Sequence, residues 1–96
     1  MFYYTYITTN PGNSVLYTGM TNDLRRRLTE HKAMRGSSDS FAGKYYCYKL
    51  VYFERHLTAM GAIRREKEIK KLSREDKIRL IASKNPKWEW LNSMAG

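Results

Sequence analysis

The sequence predicts an α+β domain, a small three-stranded sheet flanked by helices. Three observations carry that expectation. Two runs of aromatic and β-branched residues, Phe2–Thr8 and Val15–Gly19, are separated by the turn former Asn10-Pro11-Gly12-Asn13. Further along, apolar residues recur at helical spacing behind capping residues. The 96 residues leave room for one domain with one modest core.

The first two runs read as a β-hairpin with a long loop. A symmetric hairpin sets Thr8 opposite Val15 and therefore Tyr6 opposite Tyr17, on one face of the sheet. Thr21 or Asn22 caps a helix from about Asp23 to Ala33. At about 100° per residue, Leu24, Leu28 and His31 share one stripe, with Arg27 at its edge. Arg26 points away, and Arg25 lies on the other flank. The Gly- and Ser-rich segment Arg35–Gly43 has no apolar period and is expected to be a mobile loop. A third strand falls within Tyr45–Glu54, around Leu50-Val51-Tyr52-Phe53. Thr58 caps a second helix through about Lys71. Ser73, with Asp76 three residues on, caps a third helix that ends before Asn85-Pro86. Trp88, Trp90 and Leu91 are expected to fold back over the core. The whole reads as a single domain over residues 1–96, its core about 2–72 and a helical extension about 73–94.

Lys and Arg total 18 against 9 Asp and Glu, a net charge of +9. Such an excess attracts polyanions, whether nucleic acid or an anionic membrane surface. No apolar stretch approaches the roughly 18 residues of a spanning helix, and the opening MFYYTYITTN lacks a signal-peptide layout. Cys47 is alone, so no internal disulfide forms, and His31 and His56 have no metal-ligand spacing for zinc. The expected location is the cytoplasm.

The second helix holds the residue that fits its surroundings least. Ala59, Ala62, Ile63 and Ile69 define its apolar stripe, and Glu66 falls near the middle of it. An inward carboxylate costs several kcal/mol unless it is paired or binds metal. Lys70 shares the stripe but sits near the helix end, where its long stem can reach water. A Glu66–Lys70 pair at i, i+4, or a pair with an arginine, is the plain structural alternative.

Tyr4-Thr5-Tyr6 and Tyr17-Thr18-Gly19 resemble the paired short motifs of the GIY-YIG nuclease superfamily. Asn22-Asp23-Leu24-Arg25-Arg26-Arg27-Leu28, followed by His31, is similar to that superfamily's first helix, with Arg27 ten residues beyond Tyr17 at the catalytic arginine's position. Arg64-Arg65-Glu66-Lys67-Glu68-Ile69-Lys70-Lys71 is similar to its second helix, which carries the metal-binding glutamate at the Glu66 position. The tail Ser73–Trp90 looks like the short stand-alone bacterial members, relatives of the nuclease domain of the excision-repair UvrC subunit. Departures are Tyr4 for the first Gly, Thr5 and Thr18 for Ile, and Met20 where some relatives have a polar or basic residue.

The resemblance implies a small three-stranded antiparallel sheet flanked by helices, and a metal-dependent endonuclease. Its catalytic residues would be Tyr6, Tyr17, Arg27, His31 and Glu66, with Glu66 holding one Mg²⁺ or Mn²⁺. Tyr6 takes the place of the proposed general base, although a phenol's reference pKa of about 10 is high for that work near neutrality. Tyr17 would orient water or phosphate, and His31 would contact phosphate or shuttle a proton. Arg27 can donate two hydrogen bonds to phosphate oxygens and keeps its charge. Arg25, Arg26, Arg27 and Lys32 on the first helix, with Lys67, Lys70 and Lys71 on the second, are candidate nucleic-acid contacts. The expected partner is DNA, with a protein partner supplying specificity, and the chain acting as a monomer or weak dimer.

Two other readings share some of these features. A non-catalytic nucleic-acid-binding module would keep the fold and the charge, but a decayed site would most readily lose Arg27 or Glu66. A membrane-surface or ribosome-associated protein explains the charge but not the inward glutamate. Taken without the resemblance, the tyrosines read as sheet packing and Arg27 as a solvated helix cation.

Overall fold

The computed structural model describes residues 1–95. Its order is β1 (Tyr3–Thr9), β2 (Leu16–Thr21), α1 (Leu24–Ala33), α2 (Phe41–Lys44), β3 (Lys49–His56), α3 (Ala59–Lys70) and α4 (Arg74–Lys84), then a short 3-10 turn at Asn92–Met94. The sheet is antiparallel with strand order β2-β1-β3, so the fold is α+β as expected. β1 is central and covered on both faces. Every residue from Thr5 to Thr9 is buried, which is why this strand does not alternate between apolar and polar.

Each face of the sheet has its own core. Ile7, Val51 and Tyr52 meet Ile69 of α3 and Ile81 of α4. On the opposite face Tyr6 and Leu50 meet Leu24 and Leu28 of α1. Full burial of each such aliphatic side chain contributes about 1.5–3 kcal/mol. The Thr5 hydroxyl donates to the Ala62 carbonyl at 2.9 Å and pins α3 across β1.

The hairpin register differs from the symmetric one. Tyr6 pairs with Gly19 and Thr8 with Tyr17, two residues away from the expected pairing. The cause is Asn10, whose side-chain oxygen accepts from the backbone N–H groups of Ser14 and Val15 at 2.8 and 2.9 Å. That grip draws Val15 into the loop and starts β2 at Leu16. Because the shift is an even number of residues, Tyr6 and Tyr17 stay on one face, as diagonal neighbours with ring centroids 6.3 Å apart.

Three further expectations change. The cap of α1 is Asp23, which accepts from the Arg26 N–H at 3.0 Å, while Thr21 accepts from the Asp23 N–H one turn earlier. Arg35–Gly43, expected to be loop throughout, ends in the first residues of α2. Ser40 caps α2, Gly36 donates to the Gly43 carbonyl at 2.7 Å, and Ala42 and Gly43 are buried. An ideal Cβ on Gly43 would lie 2.6 Å from the Met34 carbonyl oxygen, so the Gly content reflects tight packing here. In the tail, Trp88 and Leu91 pack on the two cores, but Trp90 lies half-exposed against Tyr48. The same tail covers the edge of β3. Leu91 donates to the Leu50 carbonyl, Asn92 bonds to Leu50 and Tyr48, and Asn85 donates to the Val51 carbonyl.

Candidate active site

The centre of the site is the hydroxyl of Tyr6. The residue is fully buried, and its oxygen lies 3.0 Å from His31 Nε2. Arg27 Nε donates to the same oxygen at 3.4 Å. The three groups converge because β1 turns Tyr6 toward α1, while Leu24, Leu28 and His31 bury one face of that helix. Arg27 sits at the edge of this face, its side chain 38% exposed, so its guanidinium spans the interior and the surface.

Tyr17 completes the group. Its ring meets His31 edge-on at 5.3 Å and lies partly exposed, above the buried Tyr6. Arg27 is held in its charged form by Tyr6 and Tyr17 as well as by Glu30, which it meets at 3.3 Å. Gly19, opposite Tyr6 in the sheet, is the remaining element of the packing. A Cβ there would lie 2.6 Å from the Tyr6 hydroxyl oxygen and 3.0 Å from a Tyr17 ring carbon.

Electrostatics distinguish the two tyrosines' neighbours. Burial pushes the Tyr6 phenol well above its usual pKa, and the Arg27 hydrogen bond opposes this only in part. Burial, followed by the nearby Arg27 charge, lowers His31 to about 4. At neutral pH, then, Tyr6 is a phenol and His31 an uncharged imidazole. Tyr6 has no surface through which to meet a water molecule directly, and the buried His31 turns its Nε2 to the Tyr6 hydroxyl.

Glu66 lies on α3, close enough to Tyr6 to disfavour its phenolate. Its side chain is 19% exposed and meets Lys70 at 3.6 Å. The buried stripe of α3 runs through Ala62 and Ile69 with Glu66 between them, whereas Ile63 turns outward at 36% exposure. The expectation that Ile63 is part of that stripe is therefore corrected, and Glu66 itself keeps a partial exposure. Among the described residues no three His, Cys, Asp or Glu side chains gather into a cage. One part-buried carboxylate with a weakly held lysine suits Mg²⁺, which commonly takes one or two protein carboxylates and completes its shell with water and phosphate.

The other cations are dispersed. Arg25, Arg26 and Lys32 are exposed on α1, while Lys67 and Lys70 on α3 and Lys71 just beyond it form a second exposed group. A cleft of about 510 Å³ at the C-terminal end contains none of Tyr6, Tyr17, Arg27, His31 and Glu66.

One cluster had escaped the sequence reading. Arg65 Nε donates to both Glu54 carboxylate oxygens at 3.1 Å, Tyr52 donates to Glu54, and His56 lies 3.5 Å from it. The Tyr52 phenol is pushed up to about 12, by burial first and by the Glu54 carboxylate second. This cluster ties α3 to β3 at the residue beside Glu66. Its signal in the sequence was a charged pair on two elements whose facing could not be read from either alone.

The GIY-YIG catalytic domain profile matches residues 2–79. The UPF0213 protein CPE1444 of Clostridium perfringens is 42% identical over 74 residues, 77% of each chain. The UPF0213 protein NP_0776A of Natronomonas pharaonis is 40% identical over 70 residues, covering 73% of this chain and 80% of that one. The solution NMR structure of the UPF0213 protein BH0048 from Bacillus halodurans superposes with a TM-score of 0.56 at 32% identity, over 97% of this chain and 94% of the other.

Proposed function

The chain belongs to the GIY-YIG family of nuclease-type catalytic domains, and from that membership we propose that it is an endonuclease that hydrolyses phosphodiester bonds in DNA. The observation that carries this reading is the Tyr6 hydroxyl, which Arg27 and His31 approach together at 3.4 and 3.0 Å. A purely structural tyrosine needs only one partner. Here the second is a guanidinium that extends from the buried hydroxyl to the surface.

Arg27 grips the scissile phosphate. Its link to Glu30 is exposed, so a phosphate can replace that partner with little loss. Tyr17, the outer of the two tyrosines, meets the attacking water: as the water oxygen bonds to phosphorus and the P–O bond to the departing oxygen breaks, Tyr17 takes the water's proton while passing its own phenolic proton to solvent, from which the departing oxygen is protonated. Tyr6, backed by the uncharged His31, holds Arg27 in place. The burial of Tyr6 supports giving the role of base to the outer Tyr17. Glu66 is the residue that would hold one Mg²⁺ or Mn²⁺, whose chemistry when bound is to neutralise charge on the phosphate and the departing oxygen. The exposed cations on α1 and α3 attract the flanking backbone.

Supercoiled plasmid incubated with the purified chain and Mg²⁺ or Mn²⁺, against a chelator control, tests the proposal. Nicking is expected from the wild type and none from a folded Glu66→Gln protein, whose metal-free DNA binding should be unchanged or slightly tighter. Wild-type rates from Glu66→Gln would remove the metal assignment. Binding without cleavage under any condition would move the chain to the non-catalytic reading.

A further inference from the structure

A row of aromatic rings leads outward from the site. Tyr17 stacks with Phe41 at 6.2 Å and an interplanar angle of 25°, and Phe41 meets Tyr45 at 4.8 Å. Phe41 is 52% exposed and Tyr45 40%. Lys44 stands over the Tyr45 ring at 5.5 Å. The far side of Phe41 lines a cleft of about 260 Å³ whose walls include Arg74 and Lys77.

The rings are exposed, but their backbone is fixed. The inner residues of α2, Ala42 and Gly43, are buried, and Gly43 is packed against the Met34 carbonyl with no space for a side chain. Ser40 caps the helix, and Cys47 donates to the Ala42 carbonyl at 2.8 Å. Such a support fixes the backbone from which Phe41, Lys44 and Tyr45 reach solvent. Large apolar surface turned outward beside cations matches the chemistry of a nucleobase with its phosphate.

We propose that Phe41 and Tyr45 form a stacking ledge for an unpaired base next to the scissile phosphate. The inference rests on the nuclease reading of the adjoining site and specifies its substrate: a strand single-stranded at the cut. An unpaired base offers its face to a protein ring without the cost of unstacking, whereas in an intact duplex both faces are already stacked and must first be separated. The backbone of the same strand runs from Arg27 past Lys44 toward Arg74 and Lys77. Without a base to stack, Phe41 would merely cover the outer side of Tyr17, and leucine would serve equally well there.

The test measures binding of the full chain in chelator, where nothing is cut, to a short single-stranded oligonucleotide and to its duplex. Phe41→Leu and Tyr45→Leu should each weaken single-strand binding by roughly 5- to 150-fold and leave duplex binding unchanged. Equal losses on both substrates, or no loss on the single strand, would overturn the ledge. A second measurement uses only the wild type. Replacing one base at a time with an abasic residue should reveal a position where affinity falls by a comparable factor, and uniform insensitivity would overturn the proposal without any variant needing to fold. Cleavage assays with Mg²⁺ on the same oligonucleotides keep the two ideas apart. Cutting that is indifferent to Phe41→Leu retains the nuclease and removes the ledge. Base-dependent binding with no cutting removes the nuclease reading and leaves a stacking site.

Discussion

The Tyr6 ring occupies the space that any side chain on Gly19 would need. An ideal Cβ at residue 19 would lie 2.6 Å from the Tyr6 oxygen and 2.7 Å from the carbon that bears it. Tyr6 is fully buried between β2 and α1, so its ring cannot swing aside. Gly19→Ala is therefore expected to destabilise the fold by about 1–3 kcal/mol, the usual cost of overpacking. It should reduce cleavage by more than that loss of folded protein explains, because the displaced hydroxyl is the one that Arg27 and His31 share. Thermal melts alongside cleavage rates at a temperature where both proteins are folded would check this. An alanine variant of unchanged melting temperature and rate would contradict the close fit.

The two tyrosines should respond differently to loss of the hydroxyl. Tyr6→Phe leaves His31 Nε2 buried without its partner, at a cost of about 1–3 kcal/mol. It also frees Arg27, so stability and activity should fall together. Tyr17→Phe keeps the ring that packs on His31 and Phe41 and removes only the outer hydroxyl. Its stability should be near wild type while cleavage drops by about 10²–10⁴-fold, the range for losing a positioned acid or base. The opposite pattern, a stable but inactive Tyr6→Phe and an active Tyr17→Phe, would return the role of base to Tyr6.

His31 makes stability depend on acidity in a stated direction. Its folded pKa is lowered from 6.5 to about 4. As pH falls below about 6.5 the unfolded chain takes up a proton there that the folded chain refuses until about 4. The stabilisation is complete above this window and is lost on descending through it, by at most ~3 kcal/mol. Urea denaturation midpoints at about pH 7 and about pH 4.5 should show the decline, and His31→Gln should flatten it. An equal pH slope in that variant would assign the acid sensitivity to other groups.

The Glu54–Arg65 pair is expected to act on catalysis through geometry. Arg65→Ala leaves Glu54, 17% exposed, without its twofold donor. A loss of about 1.5–3 kcal/mol is the scale for hydrogen bonds to a charged group. Because Arg65 precedes Glu66 on α3, metal dependence should shift as well, seen as a higher Mg²⁺ concentration for half-maximal cleavage. Arg65→Lys should recover part of both effects. A stability loss with unaltered Mg²⁺ dependence would confine the pair to holding the fold.

How much was legible in the residues depended on whether the governing interaction was local. Thr58 and Ser73 cap α3 and α4 as expected, because a cap bonds to an N–H three residues away. The stripe of Leu24, Leu28 and His31, with Arg27 at its edge, follows from helical periodicity and stands in the structure unchanged. The α+β class and the GIY-YIG family were readable for the same reason, from short motifs in fixed order. The hairpin register was not, since a single side chain, Asn10, decides how much of the chain the loop takes up. Segment 35–43 read as loose because Gly and Ser suggest freedom when no neighbours are known. Only packing against Met34 and Tyr46 turns Gly43 and Gly36 into tight contacts and sets Phe41 beside Tyr17. The burial of Tyr6, and with it the suppressed acidity of its phenol, belongs to the tertiary structure alone. It arises from α1 closing over β1, and the water that it excludes is a property of no single segment.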